Sequence, residues 1–423
     1  MIWTLLAIEG LLLIEARRRI RLLSVFDLIA LYILACQLAY YLAPFMPIVD
    51  INAAGQLRSH LHFNDEGLLL YFFIFVCCHA ATLGLTIAPA QDAIGLGRQA
   101  IARQERWLGP VLSTCIGLAL VNMASIDAEA LWYNNRYLML SSTTGLAIDN
   151  GVTALVQALS LFIGVIAGFG LVVAMCSGRR GLALGFAIVV LWYLLMGLAN
   201  AGRAAAVYCF VIAAVAGVMA QRHRAAVVVG AVGLALLALL MALSGRASGE
   251  FGIAVLPGTF TATIAAAPEL LLAVFGNLTQ GIFVTNDGFL LNPQHPELYK
   301  LLSFSPLPSA LDGFDEIRRI QGVRLHDWVP MSAITEVIAF GPLHAAAAML
   351  SLMLGMRLSL LAAGRGHVLV SVLAGTWIFL IFVQASAYPL RNVFRQELMI
   401  LALLSVVLWF GRPARAASTA AAT

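Results

Sequence analysis

Read from its first residue, the chain is one apolar run after another, broken by polar stretches at intervals that suit membrane crossing. Runs long enough to span roughly 30 Å of hydrocarbon as helix occur at 25–47, 67–89, 108–125, 150–176, 182–199, 203–220, 225–244, 332–356, 368–388 and 393–410. A shorter run, Met1 to Ala16, opens the chain. It lacks the basic segment that begins a signal peptide, and its arginines (Arg17, Arg18, Arg19, Arg21) follow it instead. It therefore reads as a retained span with an external N-terminus, and the pattern predicts an all-α polytopic membrane protein of about eleven transmembrane helices. The positive-inside rule agrees: the ends expected inside carry Arg17–Arg21, Arg98–Arg106, Arg179 and Arg180, Arg222 and Arg224, Arg357 and Arg365, and Arg412 and Arg415.

The pattern breaks once at length. Between Gly245 and Met331 no clear span is visible, and the stretch holds a dense polar run from Asp312 to Asp327 that ends in RLHDWVP. Such an excursion in a membrane protein reads as a working surface. Leu311, Phe314, Ile317 and Ile320 recur every three residues and predict a short amphipathic helix over 308–321, with Asp315 and Arg319 on its polar face. Residues 269–284 are apolar but interrupted by Asn277, Thr279 and Gln280. A single crossing there would invert every later loop, so the segment reads as re-entrant or interfacial. The organisation expected is one membrane domain, 1–423, containing a large external loop, 245–331, with short helices.

Composition narrows the function classes. Hydrophobic residues make up 61% of the chain, charged residues 11%, and the mean hydropathy is +0.93, which excludes a soluble globule. The net charge of +4 is spread over inner loops, so nucleic acid is not a partner. Cys36, Cys77, Cys78, Cys115, Cys176 and Cys209 all lie in apolar segments, with no disulfide or metal spacing. No P-loop, dinucleotide fingerprint or HExxH occurs, and Lys300 is the single lysine. Asp127 and Glu129 in SIDAEA have a spacing that some lipid-dependent glycosyltransferases use for metal, but two loop acids are ordinarily solvated, so no metal and no cofactor are expected.

Two groups of residues carry candidate chemistry. Arg203, Arg391 and Arg395 begin predicted helices at external ends. A helix N-terminus offers free N–H groups and a positive dipole end, and an arginine there adds a fork suited to phosphate oxygens. The plainer reading is that these arginines snorkel to lipid headgroups. Arg324, His326, Asp327 and Glu336 gather where the apolar pattern resumes; an imidazole or a carboxylate there can take a proton from a hydroxyl nucleophile. The plainer reading is a hydrated loop end with Glu336 capping locally. Arg136, in YNNRY, is a weaker candidate, and His79 and His344 read as core histidines. An external anion site beside a general base, without nucleotide motifs, points to an activated lipid diphosphate as substrate.

At these residues the chain resembles the Wzy-type O-antigen and exopolysaccharide repeat-unit polymerases of bacterial inner membranes. The resemblance rests on layout, with many spans and one large late periplasmic loop, and on ANAGRAAAVY (199–208), ITEVIAFGPLHA (334–345) and YPLRNVFRQE (388–397), with YNNRY (133–137) a fainter echo. It implies a metal-independent, GT-C-like glycosyltransferase joining undecaprenyl-diphosphate-linked oligosaccharide units on the periplasmic face. It also implies a multi-pass place in the inner membrane, N-terminus periplasmic and C-terminus cytoplasmic, and as partners a chain-length regulator and a flippase. Under it, Arg203, Arg391, Arg395 and Arg324 bind diphosphate, while His326 or Glu336 activates the acceptor and Asp327 orients. An O-antigen ligase and a lipid-linked oligosaccharide flippase remain alternatives.

Overall fold

The structure, a computed structural model, describes residues 2–19, 93–141, 143–218, 224–291, 294–307, 324–326, 329–365 and 367–410, with single positions within 32–38, 69–80 and 313–317. Its long elements are helices. Six helical segments among the described residues are long and apolar enough to cross a membrane: Trp107–Ser125, Leu159–Cys176, Arg180–Ala199, Ala225–Ser248, Pro342–Ala362 and Leu390–Trp409. A seventh arises if Ile253–Ala265 and Ala267–Phe275, bent by 91°, form one broken span or re-entrant loop. The chain is thus an all-α, multi-pass membrane protein, with six of the eleven expected spans represented as candidates among the described residues, or seven candidates with the bent pair. The predicted runs at 25–47 and 67–89 lie largely outside the described residues. The first run does form a helix, α1 (Ile2–Arg19), but Glu9, Glu15 and Arg17–Arg19 make it too charged to count with the six. The runs at 203–220 and 368–388 give apolar helices shorter than a full span, over Ala204–Gly217 and Leu373–Ala385.

The chain divides into two compact units, Ile94–Phe275 and Met1–Ala93 with Gly276–Thr423. The first contains α2 (Ala93–Ser125), α3 (Ala128–Trp132), α4 (Gly151–Cys176), α5 (Arg180–Ala199), α6 (Ala204–Val218), α7 (Arg224–Ser248) and α8 (Leu256–Ala265). Asn150 caps α4 by accepting from Val152 and Thr153, and the Thr153 hydroxyl accepts from the Asn150 N–H in return. Helices approach closely where side chains are missing: a Cβ at Gly170 would stand 2.5 Å from the Phe186 ring, and one at Gly164 would meet Tyr208. Amides tie the layers across apolar surroundings. Asn122 Nδ2 donates to Gln157 Oε1 at 2.5 Å and Trp192 Nε1 to Asn122 Oδ1 at 3.0 Å, while Gln157 donates to the Leu140 carbonyl.

The other unit continues through α9 (Ala267–Leu291), inside which the division falls, to α10 (Glu297–Ser303) and a two-stranded antiparallel hairpin, β1 (Arg324–His326) with β2 (Val329–Pro330). Then come α11 (Ala333–Phe340), α12 (Pro342–Gly364), α13 (Val368–Ala385) and α14 (Leu390–Phe410). The segment after Gly245 therefore holds a 25-residue helix, α9, as well as short ones. The amphipathic helix expected over 308–321 lies mostly outside the described residues. The predicted run 332–356 is broken at Gly341, whose φ of 105° is open to glycine and strained for other residues. Pro342 then starts α12. Glu336 consequently sits on a helix of its own, eight residues long, rather than inside a span.

Candidate functional site

Of the residues expected where the apolar pattern resumes at 332, Glu336 lies on α11, a helix built firmly into its surroundings. Ser332 caps this helix, its hydroxyl accepting from Thr335 N–H at 3.1 Å. The cap is itself anchored: Thr285 Oγ1 donates to Ser332 Oγ at 3.1 Å, and Ala333 N–H to the Tyr388 carbonyl at 2.8 Å. Thr335 also meets Gly288, where a Cβ would stand 2.7 Å from its side chain. So α9, α11 and the entry to α14 are locked together before any charged residue is considered.

Glu336 is 1% exposed. Its Oε1 accepts the Tyr299 hydroxyl at 2.7 Å from α10, and its Oε2 accepts Leu390 N–H at 2.6 Å. Leu390 is the first residue of α14, so the carboxyl closes one of the unsatisfied N–H groups of that helix and stands at its positive end. Burial pushes the carboxyl up to about 7, opposed by the two hydrogen bonds, which favour the charged form. Near neutral pH it can therefore both give and accept a proton.

Arg391 and Arg395 leave the next turn of α14. Arg391 is 2% exposed; its Nη2 donates to the Leu307 carbonyl at 3.0 Å, its Nη1 to the Leu302 carbonyl, and its guanidinium lies 4.1 Å from the centre of the Phe314 ring. Arg395 donates through Nε to Ser305 at 3.5 Å and through Nη2 to Leu307. A cation at the start of a helix stands against the helix dipole. Here the carbonyl ends of α10 and the turn after it supply negative charge, the arrangement a helix C-terminus favours. Glu336, Tyr299 and Arg391 thus fasten α10 from two sides.

Sequence reasoning missed two buried groups in this unit. His295 stacks on Tyr299 with ring centroids 5.0 Å apart and meets the edge of Phe340 at 5.1 Å. Among the described residues neither ring nitrogen has a hydrogen-bond partner, and burial, helped by nearby Lys300, lowers it to about 4, so it is neutral at pH 7. Asp287 is 8% exposed with Oδ1 unpartnered, and burial pushes it up to about 7. The only signals were a lone histidine in NPQHP and an acid within an apolar helix, and neither forms a motif. His344 packs against Phe304 and Phe340, as a core histidine does.

The RLHDWVP stretch folds as the β1–β2 hairpin, with Arg324 opposite Pro330 and His326 opposite Val329. Asp327 lies outside the described residues. The hairpin runs directly into the Ser332 cap.

Arg203 and Arg136 belong to the other unit. Arg203 is half-buried and immediately precedes α6, at the end of a hairpin in which Ala201 adopts a positive φ of 47°. That hairpin is gripped by Arg246, which was not a candidate: its Nε and Nη2 donate to the Ala201 carbonyl at 3.2 and 3.1 Å, and its guanidinium lies 4.9 Å from the Tyr137 ring centre. Gly252 N–H adds a bond to the Ala199 carbonyl at 2.8 Å. Arg136 is exposed and its backbone N–H donates to Asn134 Oδ1 at 3.1 Å. Asp127 is the N-cap of α3, its Oδ1 accepting from Glu129 N–H at 3.0 Å.

Compared with known protein families, curated proteins and solved structures, the chain finds no match. The chemistry available lies in a buried acid poised near neutrality, a neutral imidazole close by, and guanidiniums at the start of α14.

Proposed function

We propose that the chain is a lipid-diphosphate-dependent glycosyltransferase. In this reading it polymerises undecaprenyl-diphosphate-linked oligosaccharide repeat units at the periplasmic face of the bacterial inner membrane. The observation that carries the reading is the Glu336 node: a buried carboxyl shifted up to about 7, one residue along the α14 entry from a buried arginine. The multi-pass fold and the motif resemblance around 199–208, 334–345 and 388–397 add support.

In the reaction, an acceptor sugar hydroxyl attacks the anomeric carbon of the donor unit. The glycosidic C–O bond forms as the bond from that carbon to the diphosphate breaks. The hydroxyl proton passes to the Glu336 carboxylate, or to His326, as general base. The lipid diphosphate leaves with its negative charge opposed by Arg391 and Arg395, with Arg324 as a further phosphate ligand. The carbonyls of Leu302 and Leu307 hold the Arg391 fork in place, and phosphate oxygens compete with them for its N–H groups. Tyr299 orients Glu336.

The test is elongation by the purified full-length protein of a lipid-linked repeat unit, without nucleotide or ion gradient. Polymer formation, abolished by Glu336→Gln and Arg391→Ala, is expected. Transfer only to a lipid A core would instead identify a ligase, and transbilayer movement without a new bond a flippase; either overturns the reading.

A further inference from the structure

Next to the Glu336 node, but separate from it, α11, α12, α13 and α14 border a half-open apolar cavity. Ala333 and Val337 line it from α11, Ala348 and Leu352 from α12, and Leu390 from α14. Among the described residues the wall is apolar apart from one group, Glu397 of α14, which is 6% exposed. The hydroxyl of Ser351 stands by its carboxyl, yet Oε1 has no hydrogen-bond partner. A buried carboxyl oxygen left unpaired is costly, and native structures ordinarily satisfy such groups. Among the described residues no basic side chain lines the cavity to serve as a counter-ion.

We infer that this cavity is a binding site for a neutral amphiphile: an aliphatic chain held by the apolar wall, carrying a hydroxyl that bonds to Glu397 Oε1. The chain fits because the wall offers dispersion contact and almost nothing polar. The hydroxyl fits because it is both donor and acceptor and satisfies the carboxyl without bringing a second charge into the membrane interior. A lipid acyl chain would fill the apolar space but leave Oε1 as it is. A cationic head would demand an ionised partner with no other polar support. The inference does not rest on glycosyl transfer and stands or falls separately from it.

Photolabelling tests it. The full-length protein in phosphatidylcholine nanodiscs is exposed to a diazirine-bearing long-chain primary alcohol and, in parallel, to the same chain ending in a methyl group. The alcohol is expected to label α11–α14 with a preference of about tenfold over the alkane, the worth of one good hydrogen bond. Glu397→Leu brings the two probes to parity, while Glu397→Gln, which keeps a carbonyl acceptor, retains a preference. Ala348→Trp fills the cavity and removes both labels; if that variant does not fold, judged by thermal unfolding, the Glu397→Leu comparison decides. Equal labelling of the native protein by both probes, or labelling confined to other helices, overturns the proposal.

Discussion

Arginine grips backbone carbonyls in both units, and the two grips differ in what surrounds them. Arg246 lies in the last turn of α7, where the helix dipole favours a cation, and spends its fork on one carbonyl, that of Ala201, with Tyr137 beneath it. Arg391 lies at the start of α14, where the dipole opposes it, and is more deeply buried. It is tolerated because α10 turns its carbonyl end towards it and because Glu336 caps the same helix start. The α7 arginine is a strap on a hairpin. The α14 arginine belongs to a cluster that also contains an acid near neutrality, a neutral histidine and a tyrosine, a combination that structural strapping does not require.

The largest expected effect separates the two grips directly. Arg391→Ala removes the partner of the Leu302 and Leu307 carbonyls inside the protein and should lower stability by about 3 kcal/mol or more. Arg391→Lys should recover little of this, because an ammonium cannot reproduce the fork. Thermal unfolding in detergent measures both, and a loss no greater than that of Arg246→Ala would put the two arginines in the same class. Glu336→Gln comes next and should slow elongation by about 10²–10⁴-fold if the carboxyl is the general base. Its fold should survive, since the amide oxygen still accepts one of the two bonds; full activity in this variant would move the base role to His326.

The pH dependence follows with a definite sign. Glu336 has a folded value of about 7 against 4.5 for the free group, so the folded state holds its proton more tightly. Its contribution to stability is greatest below pH 4.5 and declines as pH rises through 7, by at most about 3 kcal/mol. His295, lowered to about 4, works in the opposite direction: its contribution is present above pH 6.5 and is lost as pH falls through 4. Denaturation of wild type and Glu336→Gln at pH 5 and pH 8 should therefore show a smaller loss towards alkaline pH in the variant; parallel curves would place the carboxyl in an unshifted environment. The smallest effect concerns the strap: Tyr137→Leu should cost roughly 0.5–1 kcal/mol, visible as faster hydrogen exchange at Gly202 and Gly252.

How much of this was legible in the sequence depends on where the information resides. The spans at 107–125, 180–199 and 225–248 follow from apolar length alone. The break at Gly341 is marked by the Gly341–Pro342 pair, but the apolar length of the run on both sides outweighs that signal. Glu336 and Arg391 stood out as charges beside apolar runs. Their partners did not, because Leu302, Leu307 and Leu390 act through main-chain atoms that every residue shares. Arg246 carries no signal of its role in the sequence, since a carbonyl 45 residues away leaves no trace in the local pattern. Asp287 and His295 are isolated polar residues, and their burial is a property of the packed helices rather than of their neighbours in the chain.

The Glu336 contact to Leu390 closes 54 residues of chain, and the Arg391 contact to Leu302 closes 89. During synthesis, then, α10 and α11 leave the ribosome well before the helix that completes their hydrogen bonds. Until α14 arrives, Glu336 has only Tyr299 to share its burial with, and the carbonyls of 302–307 must stay near water. The cluster is thus a late step of biogenesis, closed by a helix that is made after most of the bundle. A chain stopped before Leu390 should insert its earlier spans and still be recognised by quality-control proteases as unfinished.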